Sequence, residues 1–268
     1  MTQPVTDLLR SHQEKRAALQ RSLTRLPDLL VAFSGGVDSS VLLHAAHAVL
    51  GPRAVGFVAD SPSLPRRELA EARTAAKTLG TRLIVVPTEE LSLPGYQANQ
   101  GLRCYFCKGA LFAAMTTWAE EHGWRHLAFG EITDDLADDR PGRRAASERG
   151  VLAPLAEAGF TKEDVRSYAR EFGIAAAEKP ASACLASRIP LGTVVTRDAL
   201  ARVERAEEAL RALGFSQLRV RNHGQRARVE LGAEEFEEGS QREAEVAECL
   251  VEFGFESVEL AVYRTPGG

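Results

Sequence analysis

Seven consecutive residues carry the strongest chemical signal in the chain: Ser34-Gly35-Gly36-Val37-Asp38-Ser39-Ser40, directly after the apolar run Leu29-Leu30-Val31-Ala32-Phe33. A strand, a glycine turn and a helix in that order make an anion cradle, because glycine lets backbone N–H groups approach phosphate while the helix N-terminus faces it. Gly35 and Gly36 supply the turn, and the hydroxyls of Ser34, Ser39 and Ser40 add donors. Asp38 is out of place beside phosphate unless Mg²⁺ sits there, since a bare carboxylate repels the anion. The loop lacks the Gly-Lys-Ser/Thr ending that aims a lysine at a γ-phosphate, which argues against kinase or GTPase chemistry. The competing reading is a tight turn whose serines cap the next helix; it suits a lone glycine pair better than this whole run.

The four cysteines are Cys104, Cys107, Cys184 and Cys249. Cys104-Tyr105-Phe106-Cys107 alone reads as half of a zinc site, a redox pair or an accident at a helix start. Cys184 offers a third thiolate. A closed zinc site would want a fourth ligand, and Cys249, in the apolar segment Glu248-Cys249-Leu250-Val251-Glu252-Phe253, reads as a buried core thiol. His12, His44, His47, His122 and His126 show no metal-ligand spacing, and His223 reads as a turn residue.

Leu218-Arg219-Val220-Arg221 and Arg226-Ala227-Arg228-Val229 alternate about the turn Asn222-His223-Gly224-Gln225, giving a hairpin with one apolar face and four arginines on the other. Like charges facing each other in a sheet are destabilising. Either carboxylates such as Glu204, Glu207 and Glu230 offset them, or a ligand phosphate held bidentately does. The two readings stand level for any one arginine.

The elements that must position these residues follow from periodicity. An amphipathic helix over 5–25 is stopped by Pro27; then come a strand (29–33), helix (39–50), strand (54–59), helix (67–79), strand (82–86), helix (108–122) and strand (127–130). This alternation predicts an α/β fold with a doubly wound parallel sheet. The connections 87–103 and 131–151, the latter with Asp134, Asp135, Asp138 and Asp139, are long enough to suggest function. Thr161 starts a helix with Asp164 as capping partner, ending near Gly173. The stretch 175–192 holds Lys179, Cys184 and Arg188 without periodicity. The remainder follows an α-β-β-α-β order, so the expected domains are 1–190 and a small α+β domain over 191–268.

Composition bounds the rest. A chain of 268 residues, 44% hydrophobic and 26% charged, holds one large core and a small one. Net charge −4 and a pI of 5.9 leave no broad basic field, so neither nucleic acid nor a membrane surface is an expected partner. The N-terminus lacks the apolar core of a secretory signal and no run is long enough to span a membrane. A cytoplasmic location with reduced cysteines is expected.

The glycine loop resembles the pyrophosphate loop of the ATP-pyrophosphatase (PP-loop) superfamily, which includes asparagine, GMP and NAD synthetases, tRNA thiolases and sulfur transferases. The resemblance implies cleavage of ATP to AMP and pyrophosphate through an adenylylated intermediate. With Gly101-Leu102-Arg103-Cys104-Tyr105-Phe106-Cys107-Lys108, Asp138-Asp139-Arg140-Pro141-Gly142, and Glu178-Lys179-Pro180-Ala181-Ser182-Ala183-Cys184-Leu185-Ala186-Ser187-Arg188-Ile189-Pro190, the chain from the glycine loop to about residue 231 looks like the LarE family. LarE proteins are ATP-dependent sulfur transferases that build the nickel-pincer nucleotide of lactate racemase. The implied substrate is pyridinium-3,5-dicarboxylate mononucleotide or its half-thiolated form, one carboxylate being adenylylated and then made a thiocarboxylate. Adenylylation gives a poor electrophile a leaving group.

The family exists in two styles. One sacrifices its own cysteine sulfur and is left with dehydroalanine; the other holds an iron–sulfur cluster on three cysteines. This chain resembles the second, which implies a [4Fe–4S] cluster on Cys104, Cys107 and Cys184, with Cys184 catalytic. The sacrificial cysteine aligns at Ala183. Lys179 and Arg188 are expected to favour the Cys184 thiolate. Arg219 and Arg221 match positions that bind the nucleotide phosphate, Ser187 and Arg188 match positions beside the active cysteine, and Glu207 and Glu230 match positions in the same acidic and basic cluster; the resemblance implies that all six bind the substrate. Homo-oligomers are common in the family. The alternatives are a tRNA-thiolating enzyme of the same superfamily, which a gel shift with bulk tRNA would reveal, an amide-forming synthetase, which would need an ammonia source, and a nucleotide-binding regulatory module.

Overall fold

The protein, seen as a computed structural model, is described over residues 3–137, 141–180 and 182–264. Asp138, Asp139 and Arg140 of the acidic connection, and Ala181, lie outside the described residues. In chain order the helices and strands are α1 (Gln3–Thr24), β1 (Leu29–Ala32), α2 (Val37–Leu50), β2 (Ala54–Asp60), α3 (Arg66–Thr78), β3 (Leu83–Pro87), α4 (Pro94–Gln97), α5 (Arg103–His122), β4 (Leu127–Phe129), α6 (Pro141–Ser147), α7 (Pro154–Glu157), α8 (Lys162–Glu171), α9 (Arg197–Ala212), β5 (Leu218–His223), β6 (Arg226–Leu231), α10 (Phe236–Gln241), α11 (Glu243–Val251) and β7 (Ser257–Val262).

Two compact units divide them. The first comprises Met1–Ser61, Arg66–Glu90 and Leu102–Ser182; the second comprises Pro62–Pro65, Leu91–Gly101 and Ala183–Gly268. The main passage thus falls at Ser182–Ala183, a few residues before the expected 190, and two short excursions of the earlier chain join the second unit. Cys184, Ser187 and Arg188 belong to that second unit.

The first unit is built on a parallel sheet of order β3-β2-β1-β4. Both faces are covered, which is why its strands read as unbroken apolar runs. On one face Leu30, Phe57 and Phe129 pack with Phe112 and Met115 of α5 and Ala145 and Ala146 of α6. On the other, Gly56 leaves room for Leu43 of α2, whose Cδ2 would lie 3.1 Å from a Cβ there. The doubly wound α/β expectation is met. The order reverses beside β1: the chain leaves β1 toward β2 and returns on its other side as β4. Such a switch point opens a crevice at the carboxyl ends of the strands, where ligands bind.

Helix α5 starts at Arg103, five residues before the expected start at 108. Tyr105 already packs on the core that Phe112 and Met115 fill, so the cysteine motif is helical rather than a loop. Among the described residues no helix is long and apolar enough to cross a membrane.

In the second unit β5 and β6 pair antiparallel and β6 and β7 parallel, giving a three-stranded sheet with β5 at an edge. Val220, Ala227, Val229 and Leu231 form its apolar face against Ala206, Leu210, Val246 and Leu250 of the helices. The expected helix over 240–253 is two, α10 and α11, meeting at Arg242, whose guanidinium lies over the Phe215 ring and donates to the Leu213 carbonyl.

Candidate functional site

The glycine loop leaves the carboxyl end of β1 at the switch point. Gly35 has φ of +72°, a left-handed conformation, and a Cβ there would stand 3.1 Å from the Ala72 Cα of α3. Glycine is therefore required twice over, by backbone angle and by close approach. Gly36 is the N-cap of α2 and no side chain caps that end. The reading in which the serines cap the helix is thereby excluded, and the first turn of α2 keeps its donors toward the crevice. The hydroxyls brace the loop instead: Ser39 Oγ lies 3.1 Å from Ser34 Oγ, accepts from the Ser34 N–H at 3.2 Å and donates to the Gly36 carbonyl at 3.2 Å. Ser40 is fully buried, and its hydroxyl has no partner among the described residues.

Asp38 points to a lysine that the sequence reading missed. Lys162 Nζ donates to both carboxylate oxygens of Asp38 at 2.8 Å. Its position is held from three sides. Thr161 and Asp164 form a capping box at the start of α8, the Lys162 N–H donates to Asp134 of the acidic connection at 2.7 Å, and Asp164 is itself gripped by Lys15 of α1 at 2.6 Å. The loop without a Walker lysine thus has a cation beside it from a distant segment. The predicted capping box was the available signal, since it starts a helix with Lys162 as first residue.

Cys104 and Cys107 stand one turn apart near the start of α5, neither of them disulfide-bonded. One residue on, Lys108 lies with its ammonium 4.7 Å from the Phe129 ring centroid. Burial pushes its pKa down, opposed by Glu131, Asp135, Cys104 and Cys107. Gly142 makes room for it, since a Cβ there would fall 2.6 Å from Lys108 Cδ. Of the Asp138–Gly142 motif, the described part therefore packs on the lysine that follows the cysteines.

In the second unit Cys184 is exposed and opens a short 3₁₀ turn, Leu185–Arg188. Arg188 is buried and points back into that turn: Nη1 donates to the carbonyls of Ala183 at 2.6 Å and Cys184 at 3.1 Å and to Ser187 Oγ at 3.0 Å, while Nε and Nη2 reach Glu207 at 2.8 and 3.2 Å. A strap made by the excursion 91–101 holds the chain that follows, with Asn99 Nδ2 donating to the Pro190 and Thr193 carbonyls. Lys179, expected to favour the Cys184 thiolate, has carboxylate partners within the first unit. It pairs at 2.8 Å with both Glu68 and Glu71 of α3, and those bonds outweigh burial and raise its pKa.

The hairpin carries Arg219, Arg221, Arg226, Arg228 and Glu230 on one face, by register. Arg221 faces Arg228 and is compensated by Glu230, which accepts from its Nε at 2.6 Å. Arg219 differs. It is buried to 9% exposure over the Tyr263 ring, 4.6 Å from its centroid, and no carboxylate pairs with it among the described residues. Burial lowers its pKa, and Arg188 and Arg221 add to the lowering. Glu230 Oε2 is buried without a partner among the described residues. The open question between glutamates and ligand phosphate divides by residue: Arg221 has Glu230, Arg226 has Glu259 at 3.5 Å and Arg228 has Glu230 and Glu259 at 3.9 Å, while Arg219 has no carboxylate among the described residues. Cys249, expected to be a buried core thiol, is half-buried at the edge of the second core, its pKa raised by burial and then by Glu252 and Glu245. Among the described residues no three His, Cys, Asp or Glu side chains are gathered into a group that could hold a metal ion.

No family profile matches the chain. Individual relatives do. The chain is 40% identical over 250 residues to an uncharacterized protein of Synechocystis sp., covering 92% of this chain and 93% of that protein. It is 38% identical over 218 residues to the pyridinium-3,5-bisthiocarboxylic acid mononucleotide synthase of Lactiplantibacillus plantarum, covering 81% of this chain and 79% of the synthase. A more distant match, 30% over 156 residues, is the argininosuccinate synthase of Haloarcula marismortui, 54% of this chain and 37% of the other.

Proposed function

The chain belongs to the LarE family of ATP-dependent sulfur transferases, and from that premise we propose that it adenylylates a carboxylate of pyridinium-3,5-dicarboxylate mononucleotide, or of its half-thiolated form, and makes it a thiocarboxylate for a nickel-pincer cofactor. The observation that carries this reading is the uncapped, serine-braced loop at the switch point of a sheet in a chain so similar to the Lactiplantibacillus synthase. A carboxylate oxygen of the substrate attacks the α-phosphorus of ATP and pyrophosphate leaves; a sulfur nucleophile then attacks the acyl carbon and AMP leaves.

In this reading the loop amides and the α2 N-terminus hold the pyrophosphate, with Ser34, Gly35, Gly36, Ser39 and Ser40 forming the cradle. Lys162 exchanges Asp38 for phosphate oxygens when the nucleotide arrives. Asp38, a hard oxygen donor at the phosphate site, would then hold Mg²⁺, which neutralises phosphate charge. Arg219, with no carboxylate of its own, and Arg221 take the phosphate of the pyridinium nucleotide. Cys184, itself exposed, opens the same short turn that carries Ser187. The thiolate chemistry of Cys104, Cys107 and Cys184 fits a [4Fe–4S] cluster, which would supply an open iron for sulfide; the pairing of Cys104 and Cys107 on one helical turn supports this. A reduced cytoplasm suits such thiols.

The test is product analysis. Purified protein with ATP, Mg²⁺ and the pyridinium nucleotide should release pyrophosphate and AMP in step with thiocarboxylate. Formation of ADP and phosphate would overturn the reading.

A further inference from the structure

A ligand-binding arginine must present at least two donors to the space the ligand will fill. Arg188 presents almost none. All three of its nitrogens are engaged within the protein, on the carbonyls of Ala183 and Cys184, on Ser187 Oγ and on Glu207, and the residue is only 6% exposed. Glu207, at 2%, is equally saturated: Oε1 accepts from Arg188 Nε and from the Val220 N–H at 3.1 Å, and Oε2 accepts from Arg188 Nη2 and from Arg211 Nη2 at 3.4 Å. Two carboxylate oxygens have about four acceptor positions, and all four are occupied.

The bond to Val220 gives this saturation a use. Because β5 is the edge of its sheet, every second N–H faces away from β6 and needs another partner. At Val220 that partner is Glu207, reaching up from α9. Val220 lies between Arg219 and Arg221, so the backbone that carries both phosphate-facing arginines is fastened to the same carboxylate that fastens, through Arg188, the carbonyls of Ala183 and Cys184. Arg221 Nη1 adds a second tie, to the Ser187 carbonyl at 3.3 Å.

We propose that Arg188 and Glu207 are positioning residues that touch neither substrate nor ATP: their buried ion pair sets the Cys184 peptide at a fixed distance from the arginine strand, so that sulfur chemistry and phosphate anchoring stay in register. This departs from the ligand-contact role that family resemblance implies for both residues, and its kinetic part rests on the substrate reading above.

The experiment compares wild type with R188K, which keeps the charge but loses the fork, with E207Q, which keeps the shape but loses the charge, and with the double variant. Two readouts are taken. Without any ligand, amide hydrogen exchange of the 183–189 segment should quicken by about tenfold or more in each variant, with the double no faster than the worse single because the pair acts as one unit. With the pyridinium nucleotide, KM should stay within about threefold while kcat for thiocarboxylate formation falls about ten- to a hundredfold, the cost of a misplaced reacting group. Pyrophosphate exchange into ATP should survive. A tenfold or greater rise in KM with kcat retained would make either residue a substrate contact and overturn the proposal, as would unchanged exchange at 183–189. Should R188K fail to fold, the isosteric E207Q decides by the same two readouts. Should wild type itself show no turnover of the nucleotide, the substrate reading fails alone, since hydrogen exchange needs no substrate and still judges the positioning pair.

Discussion

Lys162 Nζ sits 2.8 Å from each carboxylate oxygen of Asp38, at the first residue of α8 and the first turn of α2 respectively. With 44% and 27% of their side chains exposed, the pair adds little to stability, on the order of 0–1 kcal/mol. Its value lies in what an incoming phosphate can take over. Lys162→Ala should therefore leave the thermal midpoint nearly unchanged while raising KM for ATP about tenfold or more. Asp38→Asn should abolish substrate-dependent pyrophosphate release with Lys162 in place. A large fall in midpoint for either variant would make the pair structural.

Gly130, just after β4, is expected to be as intolerant as Gly35. Its backbone angle is ordinary, but a Cβ there would stand 2.8 Å from the Ser39 N and 3.0 Å from the Asp38 carbonyl carbon. Those are backbone atoms of the α2 first turn, which cannot move without moving the cradle. Gly130→Ala should cost about 1–3 kcal/mol as an overpacking change and weaken ATP binding, measured by calorimetry; a methyl at Gly123, whose left-handed φ of +73° carries a stability cost of its own, should leave ATP binding unchanged.

The sheet and the glycine loop were legible because local signals suffice for them: apolar runs at strand length, helices between them, glycines where the chain turns. The small unit was legible for the same reason, its hairpin alternating with period two about Asn222–Gln225. Lys162 was not legible as a site residue, because its neighbour Asp38 is 124 residues away in the chain. The start of α5 was misread because Gly101 and the cysteines hide a helical pattern that only Tyr105, packing on the core, reveals. Arg188 and Lys179 were legible as charges near Cys184, but their partners Glu207, Glu68 and Glu71 are fixed by tertiary packing.

Tyr168 makes an alkaline prediction. Burial pushes its pKa up to about 12. The unfolded chain releases that proton near pH 10 while the folded chain holds it, so the folded state binds more protons between about pH 10 and 12 and stability falls as pH rises through that window. The contribution is fully present below pH 10, and its loss amounts to about 2–3 kcal/mol. Tyr168→Phe keeps the ring contact with Phe172, gives up the hydroxyl contact to His44 Nδ1 at 3.0 Å, and should flatten the decline in urea midpoint between pH 9.5 and 11.5. An unchanged slope would assign the decline to other groups.

Arg219 and Arg221 should part company on mutation. Arg219→Ala removes a buried, uncompensated cation, so stability should hold or rise, while affinity for the nucleotide falls by about 2–5 kcal/mol. Arg221→Ala strips Glu230 of its 2.6 Å partner and should cost about 1–3 kcal/mol of stability besides. Inorganic phosphate offers a simple probe: it should raise the thermal midpoint of wild type more than that of Arg219→Ala, which keeps only the glycine-loop contribution. Equal protection of both proteins would place the phosphate elsewhere.

The source of the sulfur separates two chemistries that share Cys184. If Cys104, Cys107 and Cys184 hold a cubane cluster, protein purified without oxygen should carry about four irons per chain with a broad visible absorbance, and any single Cys→Ala change among the three should remove both iron and thiocarboxylate formation. Adenylylation should survive such a change, because the glycine loop, Asp38 and Lys162 contribute none of the thiols. If instead Cys184 gives up its own sulfur, its Cα–H and Cβ–S bonds break, the thiocarboxylate departs and dehydroalanine is left. The intact mass then falls by one H₂S after a single turnover, on the peptide that contains Cys184. Cys104→Ala distinguishes the two most sharply. Cys104 lies on α5, one turn from Cys107 and away in sequence from the 3₁₀ turn of Cys184, so the sacrificial route has no use for it. Retained single-turnover activity in Cys104→Ala, together with the lost H₂S, would overturn the cluster assignment; loss of iron, colour and activity together, with the Cys184 peptide at full mass, is the expected result.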